Sequence, residues 1–365
     1  MPLPDRLTFR GPIAPALLNL WAGFERWLHR LSFNRKTRAD VWDYLAMLIE
    51  QKVELSVALA TTAQIYKRRK EPSIAFILMD LRKSLANANF ANRAAYWSPG
   101  AETILFSSYG QADTTRLFRG AARIAKTEDT IITTIREAMF VPVLLIVGML
   151  GLFYYLGVSL YPIFEEIVPR DEWSPTAKII SGVSYWMRDY WFLIAPTLIA
   201  LIAWLSWLMP NWSGPGRTFA DRFPPFSFYR LKTGYAFLLA VVEQAQMGAA
   251  LAPPLLQSMA EREKPYVRSR IMTIHPLLRY TNLGHAALQA GQGFPDDEEA
   301  TVIAAFATGS EWIAAYAAIL ERSIEASEQR VARMSRRITL AAMALLTVVL
   351  TGTGSTFFSI PTLIN

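Results

Sequence analysis

Three stretches of this chain run without a single charged residue for about the length of a membrane crossing. They are Ala138 to Leu160, Trp191 to Met209 and Ile338 to Phe358. A helix rises about 1.5 Å per residue, so the first covers about 34 Å, more than the roughly 30 Å hydrocarbon core of a bilayer. Trp191, Trp204, Trp207 and Trp212 rim the second, where amphipathic rings suit a membrane interface. A buried helix of a soluble protein rarely stays apolar for so long. Charged residues make up 18% of the 365 positions, against roughly 25% in average soluble proteins, as three lipid-facing segments would require.

Charge orients the spans. Residues 1–137 hold 20 Lys and Arg against 13 Asp and Glu, whereas residues 161–190 hold 3 against 5. Arg217, Arg222, Arg230 and Lys232 follow the second span, and Arg330, Arg333, Arg336 and Arg337 precede the third. Basic residues beside span ends stay in the cytoplasm. The N-terminus is therefore expected inside, the 161–190 loop outside, residues 210–337 inside and the C-terminus outside. No apolar signal-peptide core follows Met1. No ionisable residue lies within a span, which counts against a transporter or proton pump, the rival reading for such a chain.

The remaining regions read as helical. Trp42, Leu45, Leu48 and Ile49 recur at helical spacing, then a break near Lys52 leads to Leu55 and Leu59. Leu117, Ile124, Ile131, Ile132 and Ile135 lie on a long helix entering the first span. The segment 45–55, LAMLIEQKVEL, resembles 241–251, VVEQAQMGAAL, at an offset of 196 residues, with Gly248 in the place of Lys52. The starts of the first and third spans are separated by the same offset within a few residues. The expected fold is an all-α membrane protein with two repeated cytoplasmic helical-bundle domains and three transmembrane helices. Its parts are an amphipathic segment 1–36, a first bundle 37–137, spans 138–160 and 191–209 around a periplasmic loop 161–190, a second bundle 210–337, a span 338–358 and a tail 359–365. Pro210, Gly214, Pro215, Gly216, Pro224 and Pro225 mark a linker into the second bundle.

Candidate functional residues are few. With no cysteine and only His29, His275 and His285, thiolate chemistry is excluded and no metal spacing exists. No cofactor motif and no nucleophile–base pair is visible, so an enzyme is not expected. Leu17, Leu20, Trp21, Phe24, Trp27, Leu28 and Leu31 share one helical face, suited to a membrane surface, a partner helix or the chain's own bundle. Lys67, Arg68, Arg69 and Lys70 suit anionic lipid or an acidic protein, or form a solvated helix end; no nucleic-acid module accompanies them. Asp296 to Glu299 follow Pro295, where negative charge complements a helix N-terminus. Thr347, Thr351 and Ser355 repeat every four residues in the third span and suit close helix packing, within the chain, between subunits or against a partner helix. Pro142 is a candidate hinge in the first span.

Leu45 to Leu55, Gly248, Pro162-Ile163-Phe164 and Pro175-Thr176 resemble motifs of the GspF/PilC family, the inner-membrane platform proteins of type II secretion systems and type IV pili. Val141-Pro142 loosely matches a Tyr-Pro of that family. Its Gly-Glu turn is reduced to Gly110-Gln111 and Gly309-Ser310, and its Glu-Pro is missing around Ile338-Thr339. The short length points to a type IVb or conjugative-pilus branch. The resemblance implies a non-enzymatic platform, oligomeric with copies of itself, in a bacterial inner membrane. It further implies as partners a hexameric assembly ATPase, pilin or pseudopilin subunits and other inner-membrane assembly proteins. Lys67, Arg68, Arg69, Lys70, Arg116, Arg119, Arg123 and Arg136 are the expected contacts to that ATPase or to membrane lipids.

Overall fold

The computed structural model describes residues 28–98, 100–110, 112–248, 253–306 and 312–364, and these residues are helical with no strand among them. They fall into two compact units, one holding residues 28–130 and 232–318, the other 131–231 and 319–364.

The first unit starts with α1 (Arg35–Glu50), whose N-cap Asn34 accepts a hydrogen bond from the Thr37 amide at 3.0 Å. Helix α1 stops at Lys52, which takes the left-handed conformation at φ 62°. An L-residue pays about 1–2 kcal/mol for that backbone, so the break reflects tertiary demand. Then come α2 (Leu55–Arg68), a turn through Lys70 at φ 63°, α3 (Pro72–Ala86), α4 (Phe90–Trp97), α5 (Glu102–Phe106) and α6 (Thr114–Tyr155). Trp42 is fully buried among Phe33, Phe106 and Phe118, with ring centroids 5.2–5.7 Å apart. Burying each such ring is worth about 1.5–3 kcal/mol.

The later stretch runs through α10 (Phe226–Gln246), α11 (Pro253–Arg262), α12 (Pro265–Ile274), α13 (Leu283–Ala290), α14 (Asp297–Phe306) and α15 (Trp312–Ile364). Gly248, 196 residues after Lys52, is left-handed too, at φ 82°. Leu251, expected to resume the helix, lies outside the described residues. The sequence suggests two bundles, but both stretches belong to one compact unit. The cause is α10, in which every residue from Tyr235 to Gln244 is buried. A helix apolar on all sides needs neighbours on all sides, and one half alone does not supply them.

The second unit contains the apolar helices. Thr114–Ile167, Pro175–Asn211 and Ile319–Gly354 are long and apolar enough to cross a membrane, and their most apolar windows are 11%, 0% and 17% buried. Exposed apolar surface on that scale demands a partner or a lipid phase. Helix α6 passes through Pro142 without ending, and regular α geometry widens instead into a π-turn at Leu156–Leu160. Pro142, the expected hinge, lies within continuous helix, and the departure from α form comes farther along. Within that π-turn Gly157 marks a close helix crossing, where a side chain would overlap the Ser184 carbonyl.

The 161–190 loop is mostly helical. α7 (Tyr161–Ile167) and a short turn lead to α8 (Pro175–Asn211), which starts well before Trp191 because Ser174 caps it and Pro175 occupies its first position. Tyr161, Phe164, Trp173, Ala177, Ile180 and Val349 form a core at this end of the hairpin. On α15 the buried face is Val349, Gly352 and Thr353, with Gly352 pressed against Ile180 and Thr176. Thr347 and Thr351 are exposed, and the Ser355 side chain lies outside the described residues. The contact within the chain at this crossing is made by Val349, Gly352 and Thr353. At 3.6 residues per turn Val349, Gly352 and Thr353 lie on the opposite side of the helix from Thr347 and Thr351.

The expected linker is organised as well. α9 (Arg217–Ala220) buries Arg217, whose Nε donates to Asp221 at 2.9 Å while the rings of Trp212, Phe226 and Tyr229 surround its guanidinium at 4.7–5.9 Å.

Candidate functional site

The densest chemistry in the first unit is a buried ionic junction on α6. Glu128 is 6% exposed. Its Oε2 accepts from Arg35 Nε at 3.0 Å and lies 3.5 Å from Lys232 Nζ. Arg35 is the first residue of α1, and Lys232 lies in α10, so one carboxylate joins three helices from both halves. Beside it Arg38 Nε donates to both oxygens of Glu102 at 3.0 and 3.1 Å, and Trp42 Nε1 donates to Glu102 at 3.0 Å. A cavity of about 30 Å³ lies against the junction, lined by Gly100, Glu128, Thr233 and Glu263 among others. That is more than the roughly 10–15 Å³ a cavity needs to hold one water molecule. Glu102, Glu128 and Glu263 face Arg35, Arg38 and Lys232, so the cluster is charge-balanced. Among the described residues no group has metal-binding geometry.

Farther along α10 the polar residues repeat this role. Arg123 Nη1 donates to Glu243 at 2.9 Å, Ser108 Oγ donates to Gln244 at 2.9 Å, and Gln244 Nε2 donates to the Ile104 carbonyl at 2.9 Å. Each would be a costly orphan in an apolar helix, and each finds its partner on α5, α6 or the turn between them. What this arrangement does chemically is clamp and register. It holds no nucleophile beside a base.

Burial pushes Glu128 upward, but Lys232, Arg35 and Arg38 outweigh it and hold its pKa below the ordinary carboxylate value. Asp80 behaves alike: burial opposes, and hydrogen bonds from Arg93 and Trp97 win. Glu263 is raised by burial and then by the Glu128 charge, and Glu102 is raised by burial against the pull of Arg38. A depressed carboxylate contributes stability that is present above its unfolded pKa, about 4, and lost as pH falls through the folded value. A raised one gives the reverse, a gain as pH falls through its folded value toward about 4. Stability should therefore rise on mild acidification and fall steeply below about pH 4. Denaturant titrations across that range check this, and Glu263→Gln should weaken the mild-acid rise.

The sequence candidates are placed as follows. Lys67, Arg68, Arg69 and Lys70 are all exposed on the α2–α3 turn, with Arg69 over the Tyr66 ring at 5.5 Å. Basic residues there complement the negative end of α2. Arg119 pairs with Glu50 at 2.6 Å, Arg123 with Glu243 at 2.9 Å, and Arg116 approaches Asp113 at 3.9 Å. Arg119 and Arg123 also line a groove of about 470 Å³ with Lys36 and Lys126, opposite Asp40, Asp43 and Asp129. That surface is mixed in charge where the sequence suggests a basic one, because acidic partners come from other helices. Arg136 is exposed and belongs to the second unit.

Asp297, Glu298 and Glu299 occupy the first turn of α14, where they complement the helix dipole. Glu299 is also buried, and accepts from the Tyr235 hydroxyl at 3.4 Å. His29 stacks on Phe76 at 4.6 Å, and the His285 amide donates to the capping Asn282.

The junction itself is absent from the sequence expectations, although a signal existed. Glu128 sits on the stripe of Leu117, Ala121, Ile124, Ala125 and Ile131, all buried at helical spacing. A lone carboxylate on an apolar stripe requires a buried cation. Which cation, only the fold decides. Comparison with protein-family models, curated proteins and solved structures returns no match for this chain.

Proposed function

We propose that this chain is a non-enzymatic inner-membrane platform for assembly of a type IV pilus or a type II secretion pseudopilus. In this reading the first unit faces the cytoplasm and engages a hexameric assembly ATPase, while the apolar helices contact pilin or pseudopilin subunits, lipid and further copies of the chain. The observation that carries the reading is the recurrence of one helix order. Two stretches each run through six helices, each turns at a left-handed residue 196 positions apart, and each ends in a helix that continues into an apolar segment. That is the pattern of a duplicated module feeding the membrane twice. It supports two copies of one helical module, joined here by α10 and the Glu128 junction.

The motif resemblance supplies the machine, and the charge asymmetry supplies the orientation. The chain carries no phosphate-binding loop, so force has to come from a partner. The exposed Lys67–Lys70 turn and Arg136 suit contact with an acidic protein face or lipid headgroups. Arg119 and Arg123 fit that role less well, since their guanidinium groups already hold Glu50 and Glu243.

Crosslinking in cells followed by identification of partners tests the proposal. Recovery of an ATPase and a pilin-like subunit is the expected result. Charge reversal of Lys67, Arg68, Arg69 and Lys70 together should reduce that recovery severalfold with the melting transition unchanged. Fibre assembly and ATPase recovery at wild-type levels in that variant would remove the turn from the interface. Solute uptake by the purified chain in liposomes would replace the platform reading with a transporter.

A further inference from the structure

The apolar face expected over Leu17–Leu31 lies, through Trp27, outside the described residues. A surface built wholly of described residues lies between α8 and α10. The winding of α9 does not stop at Ala220. The amides of Asp221, Arg222 and Phe223 donate to the carbonyls of Arg217, Phe219 and Ala220, so helical spacing holds as far as Phe223. At 3.6 residues per turn, Arg217 and Asp221 fall on one side of this turn and Phe219 and Phe223 on the other. The charged side is the buried one: Arg217 is 1% exposed and Asp221 0%. The aromatic side is the open one: Phe219 is 63% exposed and Phe223 53%, with their ring centroids 5.3 Å apart. Water favours the reverse arrangement. Burying the ion pair carries a desolvation cost, which the aromatic box around Arg217 helps to offset. Leaving two phenyl rings open forfeits their burial, unless they meet an apolar phase.

Which phase follows from what precedes α9. Helix α8 is long and apolar enough to cross a membrane, and its most apolar window is 0% buried. Trp204 and Trp207 are exposed near its end, where tryptophan suits the boundary between headgroups and acyl chains. Trp212, its C-cap, has its ring 5.7 Å from the Arg217 guanidinium and 5.7 Å from the Phe226 ring. The turn is therefore pinned to the end of α8, at the level where that helix leaves the lipid. Thr218 and Arg222 are exposed beside the two rings. A hydroxyl and a long guanidinium side chain suit the headgroup layer, above rings that reach deeper.

We propose that residues 217–223 form a membrane-surface clasp. Phe219 and Phe223 enter the boundary between headgroups and acyl chains, and the buried Arg217–Asp221 pair locks the turn against the end of α8. The clasp holds the connector between α8 and α10 at the bilayer surface. It rests on α8 crossing a bilayer and does not depend on which machine the chain serves.

The chain has no cysteine, so one introduced cysteine reports its own depth. An environment-sensitive fluorophore is attached at Thr218→Cys, which leaves both rings in place, or at Leu201→Cys, an exposed position in the apolar run of α8. The full-length chain is reconstituted in phosphatidylcholine vesicles whose lipid is spin-labelled either near the headgroup or deep in the acyl chain. At 218 the shallow label should quench severalfold more than the deep one, and at 201 the order should reverse. With Phe219→Glu and Phe223→Glu, shallow quenching at 218 should fall severalfold while quenching at 201 stays. Both rings are exposed, so the melting transition should stay in place; Phe219→Ser with Phe223→Ser, which adds no charge, gives the same reading if it moves. Lipid quenching at 201 without quenching at 218 overturns the clasp alone. Its absence at both positions overturns the crossing of α8 as well. Quenching at 218 that survives loss of both rings would assign that depth to the tether from α8 and overturn the clasp. Shielding of 218 that grows with protein-to-lipid ratio would assign the rings to a second copy and overturn it too.

Discussion

Glu128→Ala should lower the stability of the detergent-solubilised chain by about 3–5 kcal/mol, the cost of leaving a buried cation without its partner. The carboxylate is the shared acceptor of Arg35 and Lys232. Lys232 cannot escape to water: its side chain is 17% exposed, and burial already pushes its pKa down against the opposing pull of Glu128. Removing that pull leaves an ammonium in a dry site, which must lose its proton or open the unit. Arg35, 38% exposed, can rehydrate in part, so Lys232 sets the size of the effect. The double variant Glu128→Gln with Lys232→Met should recover much of the loss, because it removes both charges together. Denaturant unfolding followed by tryptophan emission provides the measurement. A single-variant loss under about 1 kcal/mol, within the range of an exposed ion pair, would show that the junction does not hold the two halves together.

Gly284→Ala should also be severely destabilising, for a steric reason. Gly284 lies in α13 where that helix crosses α14. A methyl group there would overlap the Ala304 backbone nitrogen and lie 2.5 Å from the Ala300 carbonyl oxygen and 2.7 Å from the Ala304 Cα. Both obstacles are backbone, so no rotamer change relieves them and the helices must separate. Overpacking of this kind costs about 1–3 kcal/mol and occasionally more. Gly148→Ala is the matched control: it is helical, with nothing within 4 Å of the added carbon. Helix propensity alone would make that change favourable by roughly 0.5–1 kcal/mol. Opposite signs for one substitution in two helices would separate crossing sterics from propensity. Equal small effects would show that α13 and α14 have room to part.

Lys52 and Gly248 read as equivalent breaks from spacing alone, and both adopt left-handed backbone. A lysine in that conformation shows that the turn is imposed by what the flanking helices bury. Gly284 and Gly234 mark closest approaches in the second stretch, where an added carbon would meet the backbone of α14 or of Pro295.

The three apolar helices and the overall helical class were decided by the sequence itself, because each follows from local spacing or from the cost of placing charge in lipid. The partners of Glu128, Glu243 and Gln244, the aromatic box around Arg217 and the Val349–Gly352–Thr353 crossing came only with tertiary structure. Those depend on which helix lies beside which, and a charge or a small residue on a helix face records that it needs a neighbour without recording which one. The π-turn at Leu156–Leu160 belongs to the second group as well, since it lies where Gly157 crosses close to the Ser184 carbonyl.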